Sequence, residues 1–432
     1  MKRFLKKHIG LVIILAIIIA FPASMSTQAR LNMRIIITGL AIDKTEKGYE
    51  VTAQIVKTAP GSGSEKSGST IDFVSDTGDT IVSAISKLSY KSGKVAGFSH
   101  TNFILLGKDM FDENLLKSLN YFLRDTLIKD SVLLLVAEES AKDEIKKTKE
   151  LGLSVGLEIQ KVFVYKEKES DGAMTSLVAF VNDSLSHSKT TVASFLAMNS
   201  DAKSAKQSDS SNGESGTQTA SQSQNSGESS SQESEQQTSS SSGSKSSGKA
   251  ESETKYFDAI TPLACFVSGK YVGSLESEDE ILGYMFAQKK CIAEDISLED
   301  VTKGQLKNAN VGIDVKYKSS DKKIRFENEI PCLDFCIKIS NASIKEIQNE
   351  EYVSKITDEE FEFIKEKIAE HISKNIAKAF EKSKEMKADI FGAYDIANKF
   401  HYKKTKHNFE TMEEFLDRLK INVDVKVSRL EY

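Results

Sequence analysis

Between Ser200 and Thr254 the chain holds no aromatic and no branched aliphatic residue, only Ser, Gln, Glu, Gly, Asn, Lys and other small or polar types, most densely from Ser221 to Ser242. Such a segment has nothing to bury and cannot offset the entropy of folding, so it predicts a disordered linker with ordered regions on either side. Its expected role is that of a flexible spacer, because its Ser runs do not repeat as a binding motif would.

The first thirty residues set the compartment. Lys2, Arg3, Lys6 and Lys7 precede an unbroken apolar run from Ile9 to Phe21, and small residues including Ala23, Ser24, Ser26 and Ala29 follow. That order is the signature of an export signal, with Thr27-Gln28-Ala29 suited to signal peptidase. The run is shorter than the roughly 20 residues that span a bilayer comfortably, which favours cleavage over a permanent anchor. No cysteine precedes Cys265, so a lipobox cysteine is missing. If the protein stays on a membrane, either this helix remains uncleaved or a partner holds it there.

A chain of 432 residues is long enough for two or three folded domains. Its formal net charge of -5, with basic residues mostly interleaved with acidic ones, gives no electrostatic case for nucleic-acid binding.

The first ordered region opens with a hairpin. Arg34 to Asp43 is mostly apolar, Asp43 to Gly48 turns, and Tyr49, Val51, Ala53 and Ile55 alternate with Glu50, Thr52 and Gln54. A Gly/Ser-rich loop from Pro60 to Ser69 leads to Thr80 to Tyr90, where Ile81, Ala84, Ile85 and Leu88 recur at helical spacing. A βαβ-like unit follows: strand Asn102 to Leu106, a helix with Leu115, Leu116, Leu119, Phe122 and Leu123 on its apolar face, and strand Val132 to Val136, expected parallel with a right-handed crossover. Lys108 precedes no Gly-rich phosphate loop, and Gly93, Gly97 and Gly107 do not fit the dinucleotide fingerprint, so this unit reads as scaffold.

The second region runs from Lys255 to Tyr432. Leu263 to Val267 and Tyr271 to Ser274 predict a tight hairpin, with a helix from about Ser277, and antiparallel strands are expected at Val311 to Tyr317, Ile324 to Ile330 and Leu333 to Ile339. A long helix from Asp358 to about Lys387 is signalled by a Thr357/Glu360 capping box, an Ile356/Phe361 staple and the stripe Phe361, Ile364, Ile368, Ile372, Ile376 and Phe380. Asp389 to Gly392 then predicts a turn that docks the helix end with Phe391 buried. Ile421, Val423, Val425 and Val427 alternate with polar residues in a closing, half-buried strand.

All four cysteines, Cys265, Cys291, Cys332 and Cys336, follow the linker. Cys332 and Cys336 lie roughly 13 Å apart along a regular strand and cannot pair with each other. Disulfides from them to Cys265 or Cys291 and four free thiols both remain open. No CxxC or nearby His completes a zinc ligand set. His100 at a strand start reads as structural, Arg124 and Asp125 as a helix end, and Asp358-Glu359-Glu360 as negative charge at a helix N-terminus. Nucleophile-elbow, HExxH and Walker sequences are absent, so no catalytic, cofactor-binding or metal-binding residue is assigned. The residues alone describe an exported, two-lobed α+β protein without a visible active site.

The order of several short motifs resembles the Ger(x)C family, the C subunits of bacterial spore germinant receptors. Ile37-Thr38-Gly39-Leu40-Ala41-Ile42-Asp43, Tyr49-Glu50-Val51-Thr52 and Gly78-Asp79-Thr80-Ile81 with Ala84 resemble its opening, and Ser99-His100-Thr101, Tyr121 to Asp125 and Ala141-Lys142-Asp143 follow in family order. Beyond the linker, Ala264-Cys265-Phe266 with Gly269 to Gly273, the segment Glu278 to Tyr284, Lys387 to Gly392 and the closing strand are similar to its C-terminal part. Each motif is weak alone, and their collinearity is what carries the likeness. Family members usually bear a lipidated cysteine and a Trp-Asp pair after the signal; here Met25 to Asn32 carry neither, and the Ser/Gln-rich insertion is a second departure.

The resemblance implies a non-enzymatic, extracytoplasmic subunit acting in spore germination beside polytopic membrane subunits, without cofactor, on the spore inner membrane of a sporulating host. The expected fold is α+β, with mixed and antiparallel sheets, packed helices and two or three domains joined by the linker. The expected map is 1–29 signal peptide or membrane anchor, 30–199 N-terminal germination-protein region of one or two subdomains, 200–254 linker and 255–432 C-terminal domain. An exported ligand-binding or cell-surface interaction protein unrelated to sporulation is the alternative reading, and a small-molecule ligand stays open in either.

Overall fold

A computed structural model describes residues 34–58, 69–124, 128–151, 155–200, 255–349 and 351–432. The expected signal or anchor at 1–29, the loop at 60–68, Asp125 and the linker at 201–254 lie outside the described residues. The described residues up to Ala197 and from Phe257 onward belong to one compact unit. In a second unit spanning 198–256, the described part is short backbone segments at its two ends.

The opening hairpin forms as its alternation requires: β1 (Arg34–Thr45) runs antiparallel to β2 (Gly48–Thr58), and β3 (Ser69–Gly78), a strand not foreseen between the Gly/Ser-rich loop and the first helix, pairs antiparallel with β2. The β1 register shifts between Ile37 and Gly39, where an added Cβ at Gly39 would meet the Phe103 ring at 2.3 Å. Helix α1 (Ile81–Ser92) is capped by Thr80, whose Oγ1 accepts from Ser83 N at 3.1 Å, and buries Ile81, Ala84, Ile85 and Leu88 as their spacing predicts.

A short strand β4 (Val95–Gly97) adds parallel to the start of β1. Strand β5 (Phe103–Leu106), helix α2 (Leu115–Arg124) and strand β6 (Leu133–Val136) form the expected unit with parallel strands, every strand residue buried. Leu123 departs from expectation: it is 41% exposed, because the face that reaches the sheet is Leu115, Leu119 and Phe122. Three helices not foreseen follow, α3 (Ala141–Lys147), α4 (Val155–Lys168) and α5 (Leu177–Ser184).

The chain then builds a sheet from both sides of the linker. Strand β7 (Thr190–Ser194) pairs antiparallel with β10 (Leu263–Val267), which pairs with β11 (Lys270–Leu275), while β8 (Met198–Ser200) and β9 (Lys255–Phe257) pair with each other. Strand β10 divides two hydrophobic cores by its pleat. Leu263 and Cys265 join the core around the C-terminal sheet, and Ala264 and Phe266 join the core around the first sheet.

Helix α6 (Glu278–Phe286) carries a capping box between Ser277 and Glu280. The third sheet has the order β12 (Glu294–Lys303), β13 (Leu306–Glu327), β14 (Ile330–Gln348) and β15 (Lys420–Val427), with β16 (Leu430–Glu431) also on β14. The expected strand Ile324 to Ile330 is broken at Asn328 and Glu329, both at positive φ, so its first part and the expected strand Val311 to Tyr317 belong to one long strand, Leu306–Glu327, turning directly into the next. The antiparallel pattern ends at β15, which runs parallel to β14.

Helix α7 (Asp358–Glu385) has the expected box between Thr357 and Glu360, and Ile364, Ile368, Ile372, Ile376 and Phe380 are buried on the sheet. Helices α8 (Ala393–Asn408) and α9 (Met412–Arg418) lead to β15. The α+β class with mixed and antiparallel sheets holds.

Candidate functional site

The motifs singled out in the sequence come together as caps and joints. Burial of Asp43 raises its carboxyl pKa, opposed by the backbone N–H groups of Ala141 and Lys142 that it accepts at the start of α3. An added Cβ at Gly107 would lie 2.3 Å from Asp43 Oδ1, so a glycine is required for this approach. Beside it Thr38 Oγ1 donates to Gln54 Oε1 at 2.8 Å, Gln54 Nε2 donates to Thr148 Oγ1 at 3.0 Å, and Thr148 Oγ1 donates to Ile145 O at 2.5 Å. His100 lies at a turn, with Nδ1 3.0 Å from Ser99 Oγ, and its carbonyl accepts from Asn102 Nδ2. Arg124 Nε donates to Asn120 Oδ1 at 3.1 Å.

The C-terminal motif repeats the device. Asp389 is buried, and its Oδ1 and Oδ2 accept from Ala393 N at 2.9 Å and Tyr394 N at 2.7 Å, opening α8. Burial raises its pKa to about 6 against those hydrogen bonds, and lowers that of Lys322, whose Nζ donates to Phe391 O at 2.8 Å, to about 8. Phe391 is 2% exposed and meets Phe335 edge-on at 5.2 Å, as the docking-turn reading expects. Asp395 in the first turn of α8 accepts from Ser188 Oγ at 2.6 Å and Ser188 N at 3.0 Å, which ties the loop before β7 to the C-terminal helices.

Buried charge is also used structurally at the end of α6. Lys318 Nζ donates to Phe286 O and, at 3.0 Å, to Gln288 O, and Ser320 Oγ donates to Ala287 O at 2.9 Å, so the last carbonyls of the helix are satisfied by β13. Burial lowers the Lys318 pKa to about 8 and raises that of neighbouring Glu294 well above the carboxylate range. All four cysteines are free thiols. Burial pushes Cys265 up to about 12 and Cys291 up to about 11, the reverse of what a thiolate nucleophile needs. Among the described residues no group of three or more His, Cys, Asp or Glu could hold a metal ion.

The surface offers two features that the sequence reading did not single out. An open groove of about 680 Å³ lies along β12 and α7, lined by Leu298, Phe363, Lys367, Glu370, His371 and Lys374 among others. Its charged lining is mostly acidic, with Glu278, Asp279, Asp295, Glu299, Asp300 and Glu370 against Lys367 and Lys374, and burial lowers the pKa of His371, whose Nε2 lies 3.1 Å from Asn375 Nδ2. The second feature is the C-terminal half of α8, where the exposed residues from Lys399 to His407 are all basic or aromatic. No acidic residue falls between Asp395 and Glu410, and the run Lys-Phe-His-Tyr-Lys-Lys is visible in the sequence. Among the described residues no helix is long and apolar enough to cross a membrane.

Comparison with known proteins places these parts in one family order. Residues 27–198 match the spore germination protein N-terminal domain, and residues 261–430 match the spore germination B3/GerAC-like C-terminal domain. The crystal structure of the GerBC protein is similar at 15% identity and a TM-score of 0.47, covering 90% of this chain and 97% of that one. No curated protein matches.

Proposed function

The chain belongs to the GerAC-like family of spore germination proteins, with both domains of the family in order, and on that premise we propose that it is a non-enzymatic subunit of a nutrient germinant receptor. In this reading it acts at the extracytoplasmic face of the spore inner membrane beside polytopic membrane subunits. The observation that carries the proposal is the collinear match of two germination domains over most of the chain, on both sides of the Ser/Gln-rich insertion.

The arrangement of ionisable groups supports a non-enzymatic role. Asp43 and Asp389 are occupied in capping backbone N–H groups, Lys318 in capping a helix end, and the buried thiols are held protonated. The export signature and the apolar run from Ile9 to Phe21 support the extracytoplasmic, membrane-associated location. The map of a signal or anchor at 1–29, a spacer at 200–254 and germination regions on either side belongs to the same proposal.

Deletion of the gene in its spore-forming host tests it. Dipicolinic acid release from purified spores should fall for specific nutrients and return on complementation with the full-length gene. Normal release from the deletion strain with every nutrient would overturn the receptor-subunit reading.

A further inference from the structure

We propose that the C-terminal half of α8 is a docking surface for an anionic lipid bilayer, seated by lysine charge and by two exposed aromatic rings. Lys399, Lys403, Lys404 and Lys406 are exposed within eight positions, and no acidic residue interrupts them. The chain as a whole carries a net charge of -5, so this is a local concentration against the overall sign. Between the lysines Phe400 is 68% exposed and Tyr402 52% exposed. A solvated lysine face explains the charge but not two large rings left in water. Aromatic rings flanked by lysines are the composition that binds at the boundary between headgroups and acyl chains.

The local geometry holds this presentation. The helix kinks at His401, which has φ -130° and ψ 31°, and His401 Nε2 lies 3.0 Å from Ile324 O while its ring meets Phe326 edge-on at 5.5 Å. His401 is thereby fixed to β13, while Phe400 and Tyr402 on either side of it are exposed. Thr405, the other inward residue, donates from Oγ1 to His401 O at 3.1 Å. Lys406 Nζ sits 5.7 Å from the Tyr402 ring centre, and Lys399 Nζ sits 5.3 Å from that of Phe400, so each exposed ring has a lysine amine beside it.

Beside them lies a hollow of about 330 Å³ walled by Phe326, Asn328, Glu329, Lys403, Lys404 and His407. Two lysines and a histidine against one carboxylate suit a phosphate-bearing headgroup. Near an anionic membrane each lysine strengthens attachment about five-fold.

The inference rests on the membrane location in the proposed function, and it says which surface meets the lipid. The chain contains no tryptophan, so Phe400→Trp gives a single-tryptophan probe, excited selectively over the tyrosines, in the full-length protein. With vesicles of phosphatidylglycerol and phosphatidylcholine, the probe should shift to the blue and be quenched by brominated lipid. With phosphatidylcholine alone, or with Lys403→Glu and Lys404→Glu added, the shift should shrink at least ten-fold.

Flotation of the same samples reports separately whether the chain is on the vesicle. Flotation without a change at position 400 overturns the docking surface and leaves the membrane location standing. Failure to float overturns the docking surface, and the membrane location then rests on the partner subunits alone. A probe in the more exposed Tyr90 of α1 that is quenched instead of position 400 turns a different face to the lipid. A response of position 400 to polyglutamate or RNA, but not to anionic vesicles, makes the surface a site for an acidic polymer. Either result overturns the proposal.

Discussion

Asp43 and Ala141 are joined across 98 positions by a hydrogen bond of 2.6 Å from the Ala141 backbone N–H to Asp43 Oδ1. The second carboxylate oxygen takes the next N–H, that of Lys142, at 2.8 Å. The end of the first strand thereby fixes the start of α3, and two motifs far apart in sequence serve one joint.

Removing that joint should be expensive for so small a change. Asp43→Ala leaves two backbone donors without their partner in a buried setting and should lower stability by about 2 kcal/mol. Asp43→Asn retains one acceptor oxygen and should lose roughly half as much. Urea unfolding measures both, as a lower midpoint at unchanged slope. An unshifted midpoint for Asp43→Ala would show that α3 does not depend on this cap.

Asp389 should give the protein a pH dependence of opposite sign to that of a salt-bridged carboxylate. Its pKa is raised to about 6 in the folded state, whereas the unfolded chain releases the proton near about 3.9. The folded state therefore binds more protons across that window. Its contribution to stability is present below the unfolded value and is lost as the pH rises through about 6. Relative to Asp389→Asn, the wild type should gain about 2 kcal/mol on going from pH 7 to pH 4. Unfolding curves of both proteins at matched pH measure the difference, and parallel pH profiles would remove Asp389 as the cause.

The four thiols should separate by burial. Cys336 is the half-buried one, and Cys265, Cys291 and Cys332 are buried. A maleimide reagent under native conditions should modify Cys336 first, and Cys265 and Cys291 only on unfolding, because their thiols are held protonated as well as enclosed. Peptide mass spectrometry of a timed reaction reads the order. Early modification of Cys265 would contradict its place between the two cores.

The two ends of the Ser/Gln-rich segment are already held together, since Asp258 N donates to Ala197 O at 3.3 Å. Replacing residues 201–254 with a six-residue Gly/Ser turn shortens the closed loop about nine-fold and should raise stability by about 2 kcal/mol through loop-closure entropy. Thermal unfolding of the shortened chain tests this. A large loss of stability would mean that the segment contributes contacts of its own.

Most of what could be read without coordinates was local. The α7 boundaries followed from Thr357, Glu360 and one apolar stripe, all within a single helix, and the hairpin of β10 and β11 followed from alternation around Ser268-Gly269. Strand β3 was missed because its polar and apolar residues alternate only weakly next to a Gly/Ser-rich stretch, and its place is secured by β2. The break at Asn328 and Glu329 was missed because neither residue is the glycine that usually marks left-handed backbone.

The sequence by itself determined the export signature, the division by a segment with nothing to bury, the principal helices and strands, and the collinear motifs that place the chain in its family. These depend on composition and on periods of two and 3.6 residues, which are written along one stretch of chain. Only the tertiary structure decided that β7 and β10 share a sheet from opposite sides of the linker, that alternate residues of β10 feed two cores, and that Asp43 and Asp389 serve as helix caps. Those facts depend on which distant segments desolvate one another. A buried carboxylate finds its backbone donors only when the fold has brought them within hydrogen-bonding distance.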